Sequence, residues 1–145
     1  MKLFLAALTI WSLPFLAFTH SAESVTLTNE RPTGSFLLQQ DLLKRPPAVL
    51  EVSLTKVENP AKKPVNIFVY LAGSNAKGVV TEKLGVGNFS LYPVDRPGKF
   101  MLDPAPAFRK ISETKNVKAW RLAFELGREA DPVTVTIAPP NWKSN

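Results

Sequence analysis

Paired carboxylates are the arrangement in this sequence that could most directly suggest acid–base catalysis. The 145-residue chain has no cysteine and a single histidine, His20, which excludes disulfide scaffolds, zinc fingers, cysteine nucleophiles and multi-histidine metal sites. Glycosidases use two carboxylates that face each other across a cleft, and no spacing in this chain predicts such a pair. The candidates are Asp95, Asp103, Glu113, Glu125, Glu129 and Asp131. We therefore predict no catalytic residue, no metal site and no cofactor.

The N-terminus has the pattern of a secretory signal peptide. Lys2 precedes an apolar stretch over residues 3–18, and small residues follow at 19–22, as such signals require. An uncleaved anchor is the alternative, but the stretch is shorter than the about 20 residues of a membrane span and Pro14 disfavours a straight helix. We expect residues 1–22 to be removed and the protein to be secreted or periplasmic.

Alternation of apolar and polar side chains predicts strands in the rest of the chain. It is present at residues 50–55, 120–126 and 133–137, and Val65–Ala72 is apolar on both faces, which indicates a central strand. Shorter candidates are Val25–Thr28, Ser35–Leu38, Val79–Lys83, Asn88–Tyr92, Lys99–Leu102 and Phe108–Ile111.

Turn signals such as Gly85-Val86-Gly87 and Arg96-Pro97-Gly98 separate these strands, and the one candidate helical turn is at Gln39–Lys44. The pattern predicts an all-β fold, an antiparallel β-sandwich of seven to nine short strands over residues 23–140. Residues 141–145 are expected to be a flexible C-terminal tail that Trp142 could anchor.

The surface charge is basic but scattered. The formal net charge is +6, and pairs such as Lys44-Arg45, Lys62-Lys63 and Arg109-Lys110 do not form one stripe. A solvated surface explains them, and weak contact with anionic surfaces is the alternative. Nucleic-acid binding is not expected, because no aromatic residues are interleaved with the basic pairs.

Aromatic residues follow the strand pattern. Trp120, Phe124, Phe68, Phe89 and Tyr92 lie at strand spacing, and core packing explains this spacing better than a sugar-stacking platform does.

Residues 92–102 contain two prolines that lead into Phe100-Met101-Leu102. A loop stiffened by proline loses little entropy when it docks, so Arg96, Phe100 and Met101 are candidate partner-binding residues. The alternative is a tight hairpin whose second strand enters the core.

The order of these motifs resembles the C-terminal β-sandwich (KFDV-type) domain of polyphenol oxidases, the tyrosinases and catechol oxidases. Lys44-Arg45-Pro46 stands before a long strand, Val65–Leu71 is similar to the family's Lys-Phe-Asp-Val strand, and Gly87–Pro93 resembles its Gly-Ser-Phe segment. Ala119–Leu126 and Val133–Pro139 resemble its closing strands. The resemblance covers most of residues 33–140, although Asn66-Ile67-Phe68 replaces the Lys-Phe-Asp core of the name motif.

This resemblance implies a role without catalysis, since the family's copper-ligating histidines are absent from the sequence. In such oxidases the C-terminal sandwich packs over the copper site and keeps the enzyme latent. We therefore expect an exported accessory domain that binds another protein, with a type-3 copper oxidase as the implied partner, which it shields or assists. This hypothesis requires an exposed apolar loop and an exposed sheet face. The alternative, an envelope module for polysaccharide or anionic lipid, requires exposed tryptophan or tyrosine.

Overall fold

The computed structural model describes residues 23–91, 96–127 and 131–144, and the predicted signal peptide at residues 1–22 lies outside them. These residues form nine strands and two short helices. They are β1 (Val25–Thr28), β2 (Thr33–Leu37), α1 (Gln40–Lys44), β3 (Val49–Glu58), β4 (Asn66–Ser74), β5 (Val80–Ser90), β6 (Gly98–Leu102), α2 (Ala105–Ile111), β7 (Ala119–Leu126), β8 (Thr134–Ile137) and β9 (Asn141–Lys143).

The strands form two antiparallel sheets. In sheet A the order is β1-β8-β3-β6, and β9 pairs with β3 in line with β8. In sheet B the order is β2-β7-β4-β5. The prediction of an all-β antiparallel sandwich is therefore confirmed. The central strand predicted at Val65–Ala72 is the internal strand β4, which begins one residue later, at Asn66.

The core lies between the sheets and follows the alternation read from the sequence. Leu50 and Val52 of β3 face Ile67 and Leu71 of β4 and Phe124 of β7, and all five are fully or almost fully buried. Phe124 meets Phe36 of β2 edge-to-face, with ring centroids 6.0 Å apart. Because successive strand residues point to opposite faces, the alternate positions of β4 and β7 form the outer face of sheet B.

Short side chains let the two sheets approach each other along both flanks. A Cβ atom on Gly34 of β2 would collide with Val25 of β1, and one on Gly87 of β5 would lie 3.2 Å from Leu102 of β6. Glycine at these two positions makes room for the apolar side chain of the opposite sheet.

The two helices lie in connections at one end of the sandwich. Leu42 and Leu43 of α1 pack against the core, and Ala107 and Phe108 of α2 are buried in it. The Phe108 ring meets the Trp142 ring of β9 edge-to-face at 5.8 Å. The helical turn predicted at residues 39–44 is confirmed by α1.

Two strand predictions differ from the structure. Phe108–Ile111, predicted as a strand, is part of α2: Asp103 Oδ1 accepts a hydrogen bond from the Ala105 N–H at 2.9 Å, and proline starts the helix where its missing N–H costs nothing. Residues 80–83 and 88–90 of the candidates Val79–Lys83 and Asn88–Tyr92 are joined in β5, because Gly85-Val86-Gly87 forms a bulge opposite β4 and not a turn.

The C-terminus is more ordered than the sequence suggested. Asn141–Lys143, assigned to the flexible tail, pair with β3 as β9. Ala138, Pro139 and Pro140 separate β8 from β9 along the same edge of β3, so the sandwich continues to Lys143.

Candidate binding surface

Exposed apolar side chains concentrate on sheet B. Five large apolar side chains of the described residues are exposed. Leu37 (66% exposed), Phe68 (45%) and Val80 (50%) lie on the outer face of sheet B, and Val79 lies in the turn that precedes β5. Met101 (56%) lies on the outer face of sheet A.

Phe68 and Tyr70 owe their position to β4. Ile67, Val69 and Leu71 of this strand are buried between the sheets, so the residues between them point outward. The prediction that Phe68 packs in the core is therefore wrong: β4 is apolar on both faces, and only one of them is covered. Trp120, Phe124 and Phe89 are buried as predicted, and Tyr92 lies outside the described residues.

The cross-strand neighbours of the Tyr70 ring are small. Gly85 of β5 and Ala123 of β7 are the cross-strand partners of Tyr70, and Ser35 of β2 is the next residue in the same row. A Cβ atom on Gly85 would meet nothing within 4 Å. The row therefore leaves space beside the Tyr70 ring.

Charged side chains surround the rings. Lys83 Nζ lies 4.7 Å from the centroid of the Tyr70 ring and 3.6 Å from Glu125 Oε2. Tyr70 and, after it, Glu125 raise the pKa of Lys83 above its ordinary value of 10.5. Across the sheet, Arg121 Nε donates a hydrogen bond to Ser35 Oγ at 2.8 Å. Leu37 on β2 is the cross-strand partner of Arg121.

We call this surface the outer aromatic face; its residues are Leu37, Phe68, Tyr70, Lys83, Arg121 and Glu125. It combines aromatic area, a hydrogen-bonded guanidinium and one exposed ion pair. These groups can stack, pack and donate hydrogen bonds to a partner. Its single carboxylate is paired with Lys83, so the face lacks the two facing carboxylates that glycosidase chemistry needs.

The partner-binding candidates from the sequence are not brought together on one surface. Arg96 is exposed at the start of the segment that leads into β6, whereas Phe100 and Met101 lie within β6 and not at a loop tip. Phe100 points inward and its ring stacks on Phe89 with centroids 4.2 Å apart, and Met101 points to solvent. Residues 92–95 of the proposed docking loop lie outside the described residues.

A carboxylate that the sequence does not mark as a site is buried on the outer face of sheet A. Glu51 is only 6% exposed, and its oxygens accept hydrogen bonds from Lys143 Nζ at 2.6 Å and Lys99 Nζ at 3.1 Å. These hydrogen bonds, that of Lys143 first, lower the pKa of Glu51 to about 2 against the opposing effect of burial. Asn141 adds a longer contact at 3.5 Å. The signal in the sequence was a single acidic residue between two core positions of a strand.

Of the carboxylates that the sequence offered as candidates, Glu113 is exposed just after α2, and three others have separate structural partners. Asp103 caps the start of α2, Asp131 pairs with Lys63 at 2.8 Å and Glu125 pairs with Lys83. Asp95 and Glu129 lie outside the described residues. Within the three described segments, no group of three or more His, Cys, Asp or Glu side chains could hold a metal ion.

Comparison with known proteins adds no relative. No protein-family model matches the chain, and no curated protein matches it. Among the described residues, no helix is long and apolar enough to cross a membrane.

Proposed function

We propose that the protein is an exported, non-catalytic accessory domain, secreted or periplasmic, that binds another protein through the outer aromatic face. The observation that carries this proposal is that Leu37, Phe68 and Tyr70 share one face of sheet B with Arg121. The partner to be tested first is a copper-containing polyphenol oxidase, which the domain would shield or assist, as the resemblance in motif order suggests.

The composition of the outer aromatic face favours a protein partner. Aromatic residues and arginine are enriched in protein interfaces, and tyrosine and arginine are frequent among the residues that dominate binding energy. The Arg121 side chain is already hydrogen-bonded to Ser35, so less side-chain entropy is lost when a partner covers it. Exposed apolar area next to such anchors supports association.

Met101, exposed on the outer face of sheet A, extends the proposal to a second contact, and Arg96, exposed in the segment before β6, is a separate candidate contact. Phe100 packs on the inner side of β6, where its ring stacks on Phe89. It therefore acts in this proposal as a positioning residue, and Met101 as the contact.

To test the proposal, the unaltered domain and its variants are each tagged and purified from the native host, and the proteins that each one retains are compared. The F68A/Y70A variant should lose a histidine-rich copper oxidase that the unaltered domain retains, and the M101A variant reports on the second contact. The K56A/E58A variant removes an exposed ion pair of sheet A (2.9 Å) and serves as the control. Retention of the oxidase by F68A/Y70A would overturn the assignment of this face, and recovery of no protein by the unaltered domain would overturn the proposal.

One observation favours a second candidate, a module that binds envelope polysaccharide. Phe68 and Tyr70 stand two residues apart on one strand with open space at Gly85, and sugars stack on exposed rings. Lys83 already occupies a position over the Tyr70 ring, so fewer ring faces are free than such a platform needs. Retention of the domain on isolated wall polymer, lost in F68A/Y70A, would favour this candidate.

A further inference from the structure

Three connections lie at the same end of the sandwich. Strand pairing places the end of β2, the end of β4 and the start of β7 together, and the start of β3 lies beside the ends of β6 and β9. The segments that join these strands are residues 38–48, 75–79 and 103–118. We call them together the basic end.

The basic end carries most of the net positive charge. It contains seven basic side chains and three acidic ones, Asp41, Asp103 and Glu113. In the part of the chain that the structure describes, none of these seven basic side chains forms a salt bridge, whereas five other lysines do. The seven are Lys44, Arg45, Lys77, Arg109, Lys110, Lys115 and Lys118.

The two helices turn these cations toward solvent. Ala107 and Phe108 of α2 are buried, so Arg109 and Lys110, which follow them in the helix, are exposed. In α1, Leu42 and Leu43 pack against the core while Lys44 is exposed. Burial of the apolar side of each helix therefore fixes the direction of the charges.

The turn between β4 and β5 adds apolar area to the same end. Asn75 Oδ1 accepts hydrogen bonds from the backbone N–H groups of Lys77 and Val79, at 2.9 and 3.1 Å. Gly78 occupies the left-handed region with φ 77°, which glycine adopts without strain. This ordered turn presents Val79 (57% exposed) and the adjacent Val80 beside Lys77.

The α2 connection is joined to this turn. The Lys118 backbone N–H donates to the Ser74 carbonyl at 2.7 Å, directly before the turn begins. The α2 connection and this turn therefore adjoin at the basic end, and each carries a lysine there, Lys118 and Lys77.

We infer that the basic end binds the surface of an anionic lipid bilayer. Unpaired lysine and arginine side chains are attracted to anionic headgroups, and exposed valines can enter the headgroup–acyl boundary, where apolar area adds to the electrostatic attraction. A soluble polyanion would use the same cations but would gain nothing from Val79 and Val80. The combination therefore favours a bilayer. The basic end shares no residue with the outer aromatic face proposed for protein binding, although Val80 lies on the same face of sheet B.

The test measures sedimentation of the exported chain with phosphatidylcholine vesicles, with and without phosphatidylserine. The R109Q/K110Q/K115Q variant should bind the anionic vesicles about a hundredfold more weakly, since each lysine or arginine near the surface contributes about fivefold. The matched control R31Q/K62Q/R96Q removes the same charge from the opposite end and should retain most of the binding. Both carry the same N-terminus, so residues 1–22 cannot produce the difference.

A second variant tests the apolar part of the inference. V79S should weaken binding to anionic vesicles but leave binding to heparin, a soluble polyanion, unchanged. An equal loss of vesicle binding in the two triple variants, or no binding of the unaltered protein to anionic vesicles, would overturn the inference. Unchanged vesicle binding by V79S would also overturn it, and if the protein then binds heparin, the basic end is assigned to soluble polyanions. F68A/Y70A should bind vesicles normally, so failure of the protein-binding proposal would leave this result unaffected.

Discussion

The ring of Phe100 in sheet A stacks on the ring of Phe89 in sheet B, with centroids 4.2 Å apart and an interplanar angle of 18°. The two strands that carry them, β6 and β5, are the adjacent edges of the two sheets. This aromatic pair therefore closes one flank of the sandwich, and β6 presents Met101 on its opposite side.

Alanine substitutions at adjacent positions of β6 should separate these two roles. Phe100→Ala should lower the free energy of unfolding by about 2–4 kcal/mol, because it removes a stacked, half-buried ring. Met101→Ala should change it by less than about 0.5 kcal/mol, since the side chain is mostly in solvent. Urea denaturation of the two single variants measures both values.

Equal and small effects in the two variants would show that Phe100 does not close the flank. Phe100 would then return as a candidate for direct contact with the partner.

The sequence was sufficient where one face of a strand is apolar and the other is polar. Residues 120–126 alternate cleanly, and β7 buries the predicted side chains Trp120, Leu122, Phe124 and Leu126. Alternation does not say whether a second apolar face is covered, which depends on the layers of the whole fold. Phe68 was placed in the core for this reason.

Local sequence signals also predict the wrong type or boundary of an element where contacts with residues distant in sequence determine it. Two glycines around Val86 indicated a turn, but pairing with β4 across the sheet makes them a bulge. Phe108–Ile111 is predicted as a strand, whereas the adjacent residues Ala107 and Phe108 are both buried at the end of the core, as in a helix and not in a strand of alternating faces. The binding surfaces depend on such long-range pairings, and spacing along the chain did not reveal them.

The opposite flank of the sandwich offers a test of packing. Gly34→Ala should destabilise the protein by about 1–3 kcal/mol, because the new methyl group would overlap with Val25 Cγ1. Val25 is only half-buried, so Val25→Ala alone should lower the free energy of unfolding less than the same substitution at a fully buried valine would.

In the double variant V25A/G34A the overlap is removed. Its loss of unfolding free energy should therefore be smaller than the sum of the losses in the two single variants, by about 1 kcal/mol or more. Strict additivity in a thermal or urea denaturation cycle would contradict the close approach of β1 and β2.

Substitutions on the outer aromatic face should separate stability from binding. Phe68→Ser and Arg121→Gln should each change the free energy of unfolding by less than about 1 kcal/mol, since both side chains are exposed. Each should weaken partner binding by about tenfold or more if the face docks, as residues that dominate interfaces do.

Thermal denaturation and a titration with the identified partner give the two readings. Thr55→Ala, an exposed position on sheet A, is the matched control. Loss of folding in Phe68→Ser, or equal binding by all three variants, would exclude this face as the docking surface.

The buried carboxylate on sheet A predicts a dependence of stability on acid. The pKa of Glu51 falls from its ordinary value of 4.5 to about 2 in the folded protein. Between these values the unfolded chain takes up a proton at Glu51 and the folded chain does not, so acid favours unfolding. The stabilisation from Lys143 and Lys99 should be complete above about pH 5 and should disappear as the pH falls toward 2.

Thermal unfolding midpoints between pH 2 and pH 7 measure this effect. Glu51→Gln should lower the midpoint at pH 7 and flatten its fall below pH 5, because the amide does not titrate and leaves two lysines without their partner. Glu58→Gln, which removes an exposed ion pair with Lys56, should change neither the midpoint at pH 7 nor the slope noticeably. Parallel pH curves for Glu51→Gln and the unaltered protein would show that this carboxylate does not hold β6 and β9 to β3.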